Sequence, residues 1–328
     1  MFNIGNIHIE GDAILSPMAG FSDSPYRRLT REFGSAFSFT EFVSADMISH
    51  HSKKSIDLFR FHPSERPIWF QIFGNSKHTI SEAVKIITDL EPDVIDLNMG
   101  CSTCKVSNRG SGAGLLKNLK YAGEIIEEMR RSTHLPVTAK IRIGWDHDSL
   151  NYKETVHILQ ESGIQMISVH GRTKSMGYSG KADWNIIAEV KSIAKIPVLG
   201  NGDITDPVLA QEKRKFSNVD GVLIGRGALG NPWIFSGIKK TDLDFRQVRD
   251  VMKRHLHLML DFYGEDQGMI LFRKHTSKYL AEYSDILEQK KKLLTSQSLN
   301  EYLDILEELN PNPSNIIQSE ADEPLECT

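Results

Sequence analysis

Only three cysteines occur in 328 residues, too few for a disulfide framework, so a reducing compartment and an apolar core are expected. No run of about 18 apolar residues is present, which argues against a membrane-spanning helix. The start, MFNIGNIHIEGD, has no basic leader ahead of an apolar stretch, so the expectation is a cytoplasmic protein without a signal peptide. Positive charge is not in excess either: 39 Lys and Arg against 43 Asp and Glu give a formal net charge of −4. That balance argues against coating nucleic acid through global charge and leaves room for a local basic face.

Apolar residues, 40% of the chain, are ample for a core and recur in short runs. The runs are Ala13–Leu15, Phe37–Phe42, Ile68–Phe73, Val94–Leu97, Val137–Ile143, Met166–Val169, Val198–Leu199 and Gly221–Ile224. Helix-compatible segments lie between most of them, among them Ser81–Leu90, Ala122–Arg131, Asn151–Ser162 and Trp184–Ala194. Eight such strands alternating with helices predict an α/β protein, a (β/α)8 TIM barrel, with an open doubly wound sheet as the competing topology. From Phe245 to about Leu309 the spacing is helical, with Gly264 and Gly268 marking a break. The expected organisation is a barrel over 1–237, a smaller helical domain over 238–310, and an acidic tail without order over 311–328.

In a β/α barrel the chemistry sits where strands end. The strand ends here read Ser16-Pro17-Met18-Ala19-Gly20, Thr40-Glu41, Asn98-Met99-Gly100-Cys101, His170-Gly171-Arg172, Gly200-Asn201-Gly202-Asp203 and Gly225-Arg226-Gly227. Gln71, Lys140 and Arg142 lie within strands. Glycines in the last two loops let backbone N–H groups approach an anion, and many barrels hold a phosphate there. Lys140 has three readings: a Schiff-base lysine, a cation beside a reduced flavin, or a charge that escapes to the barrel mouth. Gln71 is either a bidentate partner for a flat heterocycle or a satisfied amide inside the barrel. Cys101 is placed to act as a nucleophile or proton donor. Cys104 completes a C-x-x-C spacing, which raises zinc, dithiol chemistry or an oxidative link between the two. The third cysteine, Cys327, falls in the tail, so no metal site is expected.

These residues resemble the tRNA-dihydrouridine synthases, and among bacterial members the class B branch. The resemblance runs from Gly11 to about Leu280 on SPMAG (16–20), QIFG (71–74), LNMGC (97–101), KIRIGW (140–145), VHGRT (169–173), NGDI (201–204) and GRGALGNPW (225–233). It implies FMN at the barrel mouth, NADPH as reductant, and reduction of the C5–C6 double bond of a uridine in tRNA. It implies Cys101 as proton donor, with Pro17, Met18 and Ala19 lining the isoalloxazine and Gln71 and Lys140 at its polar edge. His170 is implied near the flavin, and Asn201, Gly202, Asp203, Gly225 and Arg226 at its phosphate end. Asn98, Arg142 and Arg172 are expected on the substrate side. Such enzymes usually have proline after the cysteine, and this chain has Ser102. In the helical segment Arg246, Arg249, Lys253 and Arg254 form one basic cluster. Arg273, Lys274 and His275, with Lys278, form another, and both are expected to contact tRNA phosphates. Trp145, Tyr178 and Tyr279 are candidates to shape the substrate path. The main alternative is an FMN barrel dehydrogenase acting on a free pyrimidine-like metabolite. A flavin-bearing but silent RNA-binding protein and a Schiff-base lyase are further rivals. Oligomeric state has no signature in the sequence.

Overall fold

The computed structural model describes residues 1–311; the expected acidic tail and Cys327 lie outside the described residues, Pro311 excepted. An antiparallel hairpin, β1 (Phe2–Ile4) and β2 (Ile7–Ile9), precedes the barrel. The barrel strands are β3 (Ala13–Leu15), β4 (Ser38–Phe39), β5 (Val43–Ser44), β6 (Ile68–Phe73), β7 (Val94–Met99), β8 (Val137–Arg142), β9 (Ile167–His170), β10 (Val198–Asn201) and β11 (Gly221–Ile224). All pair in parallel in the order β3-β11-β10-β9-β8-β7-β6-β4, with β5 also on β6. The seam between β3 and β4 lacks a ladder. It is bridged by Ala36 N–H to Ala13 O (2.9 Å) and Leu15 N–H to Ser35 Oγ (3.0 Å), so the barrel is nearly closed.

The second strand differs from the single run expected over Phe37–Phe42. Phe39 pairs with Trp69 and Val43 with Ile72, so three residues of one strand face two of the other. This is a bulge, a common way to end pairing near a site. Thr40 Oγ1 accepts from Gln71 N–H (3.1 Å) inside it. Glu41 is carried to the mouth, where it accepts from Gly20 N–H.

Alternation along the strands sets the lumen's polarity. Ile14, Phe39, Trp69, Val94, Met166, Leu199 and Leu223 form a core with Phe2, Ile4 and Ile9 of the hairpin, which plugs the amino end of the barrel. Two or four residues further along the same faces the lumen turns polar: Gln71, Asp96, Asn98, Thr138, Lys140, Arg142, Ser168, His170 and Asn201, all buried. The register sets Gln71 beside Asp96 beside Thr138, Asn98 beside Lys140 beside Ser168, and Arg142 beside His170 beside Asn201. An apolar floor thus carries a polar mouth.

Helices cover the barrel, and four more follow: Phe245–Tyr263, Glu265–Tyr279, Leu287–Thr295 and Leu299–Glu308. They share a core of Met252, Leu256, Met259, Phe272, Leu280 and Tyr302, which also takes in Trp233. Asp244 and Gln247 cap the first of these helices reciprocally, and Gly264, at φ +81°, ends it. Gly268, expected at a break, lies inside the next helix. A Cβ there would stand 2.9 Å from Met259 O, so the glycine serves close helix approach instead.

Candidate active site

Cys101 stands at the end of β7, partly exposed, with Sγ 3.2 Å from Thr103 Oγ1. Its position is fixed from below. Asn98 Oδ1 accepts from Cys101 N–H (2.9 Å) and Gly100 N–H (3.1 Å). Asn98 Nδ2 donates to Gln71 Oε1 (2.9 Å), and Gln71 Nε2 donates to Asp96 Oδ2 (2.8 Å). Asp96 Oδ1 accepts from Thr138 Oγ1 at 2.5 Å. Burial raises the Asp96 carboxyl to about 6, against the opposing pull of Thr138, Gln71 and Lys140. The motifs of the sequence do not single out Asp96, although a carboxylate on an otherwise apolar strand is the signal that marks it.

Cations gather above that layer. Lys140 donates to Asn201 Oδ1 (3.1 Å), and Asn201 Nδ2 donates to Leu223 O (2.8 Å), tying β8, β10 and β11 together. Burial, then Arg142, lowers the Lys140 ammonium to about 8. Arg142 is occupied by the loops: it donates to Gly100 O (2.8 Å), Thr173 O (2.7 Å), Gly177 O (2.8 Å) and Ser102 Oγ (3.4 Å). Burial is the first cause that holds it down at about 10. His170 is driven well below 6.5, first by burial and then by Arg142, Lys140, Arg172 and Arg226. Its ring is therefore neutral.

Two expectations change at the outer rim. Arg172, expected on the substrate side, is 2% exposed and gripped by Ser179 O, Gly180 O and both oxygens of Asp203. The Asp203 carboxylate, expected at a phosphate, also accepts from Ala182 N–H (2.7 Å) and faces Arg226 at 3.6 Å. A carboxylate so placed holds two arginines and would repel an anion. Gly202 sits at φ +137°, and a Cβ there would overlap Ala182, so the loop packs closely at that point. Gly225 lies beside Met18, where a Cβ would stand 3.7 Å from the sulfur. Pro17 and Met18 are half-buried and Ala19 is exposed, in a turn that Ser22 closes through Met18 N–H (2.9 Å).

The helical segment also departs from expectation. His275 is 0% exposed, packed against Phe21, Tyr26, His255 and Phe272, which removes it from any RNA surface. Tyr279 is likewise buried, in the helical core. Lys274 reaches Gly20 O of the first barrel loop, and Arg273 donates to Ser296 O (3.0 Å). In the other basic cluster Arg249 and Lys253 pair with Glu307 and Arg254 with Glu32, while Arg246 is exposed. Basic side chains that no motif marks stand on the barrel instead: Lys117 and Lys174 flank the Trp145 ring at 3.5 and 4.5 Å from its centroid. Tyr178 lies under Arg226 (4.8 Å) and near His170. Among the described residues no group of His, Cys, Asp and Glu is arranged to hold a metal.

The family model for dihydrouridine synthase (Dus) matches residues 14–311. A probable tRNA-dihydrouridine synthase of Rickettsia bellii is 37% identical over 85% of this chain and 88% of its own length. A tRNA-dihydrouridine synthase B of Pseudomonas syringae pv. tomato is 37% identical over 85% of each chain. Among solved structures, an amine oxidase acting on 6-hydroxypseudooxynicotine from Pseudomonas geniculata superposes with a TM-score of 0.56 at 11% identity, over 70% of this chain and 47% of that one. A histamine dehydrogenase from Rhizobium gives 0.53 at 12% identity, over 84% and 50%. These two share the fold.

Proposed function

The chain belongs to the dihydrouridine synthase family and is an oxidoreductase of the class B type, and on that premise we propose that it reduces a uridine of tRNA with FMN and NADPH. The observation that carries the proposal is the Cys101 thiol held at the mouth by Asn98, one layer above a buried carboxylate and with Lys140 next to Asn98 in register. The chemistry of the mouth fits FMN. Lys140 and Arg226 offer positive charge, Gly225 leaves its backbone open to close approach, and half-buried Pro17 and Met18 with exposed Ala19 offer an apolar edge. Bound there, the flavin supplies the hydride for C6 of the uracil.

The protein's own tasks follow. Lys140 presents charge toward the heterocycle, and Asn201 keeps the ammonium in place. The Gln71 amide, expected at the same edge, is fully buried and engaged by Asp96 and Asn98. The neutral His170 ring adds no cation to four neighbours that already carry charge. Arg226 and the backbone at Gly202, Asp203 and Gly225 hold the phosphate. Cys101 delivers its thiol proton to C5, opposite in sign to the charge left by addition at C6. Lys117 and Lys174 around Trp145, with Lys274 and Arg246, are the side chains offered to tRNA phosphates and bases.

The test is to incubate purified protein and NADPH with tRNA lacking dihydrouridine, and separately with uracil and uridine monophosphate, and to measure the dihydro product by mass spectrometry. Product in tRNA alone is expected. Product from the free pyrimidine alone would favour the metabolite dehydrogenase, and no product from either would sink both readings.

A further inference from the structure

The hydrogen bonds below Cys101 have only one allowed direction. An ionised carboxylate accepts and cannot donate, so Asp96 obliges Gln71 to turn its NH2 toward β7. That leaves Gln71 Oε1 facing Asn98, which must answer with its own NH2. Asn98 is left with its oxygen toward Gly100 N–H and Cys101 N–H. Without a fixed acceptor at the start, both amides could rotate by about 180°, and an Asn98 NH2 facing two N–H donors would release the loop. Thr138 Oγ1 anchors the other carboxylate oxygen, and Gln71 N–H is itself held by Thr40 Oγ1, so neither end of the chain is loose.

We propose that Asp96 is a positioning residue: its carboxylate sets the polarity of the Gln71–Asn98 amide chain and thereby fixes the backbone that carries the Cys101 thiol. The proposal deepens the reading of Cys101 as proton donor and rests on it for its catalytic meaning, but its geometry is testable without that reaction. The raised Asp96 carboxyl is consistent with a charge kept inside a barrel for a task other than holding the fold together. Asp96 does not touch the thiol, and the hydrogen-bonded path to its backbone runs through Gln71 and Asn98, which stand between.

The experiment measures the rate at which iodoacetamide alkylates Cys101 in the protein as purified, resolved by peptide mass spectrometry, with Cys104 as the internal comparison. Asp96→Asn is expected to raise the Cys101 rate at least threefold and to leave Cys104 unchanged. Combining it with Gln71→Glu moves the fixed acceptor one link along the chain. The amide introduced at position 96 then donates to the carboxylate introduced at position 71, which still accepts from Asn98. The double variant is therefore expected to return the Cys101 rate to that of the wild type. Should Asp96→Asn fail to fold, Asn98→Ala breaks the last link directly and carries the same threefold expectation. A wild-type alkylation rate in Asp96→Asn or Asn98→Ala overturns the proposal, as does a double variant that stays as reactive as Asp96→Asn. In the uridine assay the single variant is expected to lose at least tenfold in kcat with KM for tRNA within threefold, and the reverse split also counts against it. If the wild type reduces no uridine, the functional reading fails while the alkylation comparison still decides the relay.

Discussion

Arg172 Nη2 lies 2.6 and 2.8 Å from the two carboxylate oxygens of Asp203. The pair joins the loop after β9 to the loop after β10, and Ala182 N–H completes it at 2.7 Å. An ion pair with one partner buried and both carboxylate oxygens engaged holds geometry more firmly than a surface pair. Arg172→Met is expected to lower unfolding stability by about 2–3 kcal/mol, since it strands a carboxylate that is itself partly solvated. Asp203→Asn keeps an acceptor for Arg172 and is expected to cost less than half as much. Urea denaturation followed by circular dichroism checks the order. Equal losses would mean that the charge of Asp203, rather than its geometry, is what the loops use.

Arg226 also faces Asp203, and it stands at the proposed phosphate end of FMN. Arg226→Ala removes a charged hydrogen bond worth about 1.5–3 kcal/mol, so FMN affinity should fall roughly ten- to a hundredfold. The fold should tolerate the change, because this side chain is 33% exposed. Fluorescence of released flavin during dialysis measures the affinity, and thermal unfolding of the apoprotein measures the fold. Unchanged affinity would move the phosphate to a different part of the mouth.

The barrel is legible in the sequence because all eight strand positions are short apolar runs separated by helical spacing. Alternation does the rest, since strand-end residues at alternate positions must share the lumen. How polar groups consume one another is not legible. Arg172 and Asp203 both follow strand ends and both look available, yet each is the other's partner. The placement of His275 beside Arg273 and Lys274 suggests a basic surface, but helical geometry turns the ring about 100° from Lys274 and about 160° from Arg273, and into Tyr26. Asp96 sits inside an apolar strand, and its role depends on Gln71 of the preceding strand, a pairing that only the register reveals. The hairpin at the amino end gives no clear signal because its strands are only three residues long.

The loop cysteines are expected to separate by function. Cys101→Ala is expected to keep FMN and its reduction by NADPH, and to lose uridine reduction by at least about a hundredfold, within the range of a missing general acid. Cys104 is exposed at the first turn of a short helix, and Cys104→Ala should remain active in reducing buffer. Stopped-flow absorbance of the flavin and mass spectrometry of the tRNA read the two half-reactions separately. Loss of FMN reduction in Cys101→Ala would show that the thiol serves the cofactor instead.

The buried histidines between barrel and helices are expected to make the fold acid-sensitive. Burial is the first cause that holds His255 down at about 3 and His275 well below 6.5, and neither ring is charged in the fold. A histidine depressed in the folded state contributes stability that is complete above the unfolded value of about 6.5 and is lost as pH falls through it. Each such ring adds a slope of about 1.4 kcal/mol per pH unit below that point. His275→Phe should remove one of these slopes, with His255 and the equally depressed His170 keeping theirs, so its stability relative to wild type should rise as pH falls from about 6.5 to about 5. Urea midpoints at pH 7.5, 6 and 5 test this, and parallel curves for the two proteins would show that His275 does not titrate on unfolding.

Asp96 has the opposite sign, which makes its purpose visible in stability data. Its folded value of about 6 exceeds the ordinary 3.8, so the fold prefers the protonated carboxyl and the unfolded chain releases the proton first. Stability is therefore lost as pH rises from about 4 to about 6, and the whole penalty, on the order of 2–3 kcal/mol at most, persists at higher pH. Replacing the carboxyl with a neutral amide removes that penalty, although the new NH2 must compete with that of Gln71 for an acceptor, which offsets part of the gain. Asp96→Asn is expected to be at least as stable as wild type at pH 8, with the advantage shrinking toward pH 4.5. The same variant should be impaired in uridine reduction at pH 8, where wild-type Asp96 is ionised and the amide chain has one direction. Wild-type activity should itself decline as pH falls through about 6, because a protonated Asp96 can donate and no longer dictates the orientation of Gln71. Lys140 on the neighbouring strand faces the same carboxylate and stays charged across that range, so it does not produce the decline. A marked loss of stability in Asp96→Asn at pH 8 would instead make the carboxylate a structural anchor of the barrel. Urea unfolding and dihydrouridine formation, measured on the same preparation across pH 4.5 to 8, separate these two roles.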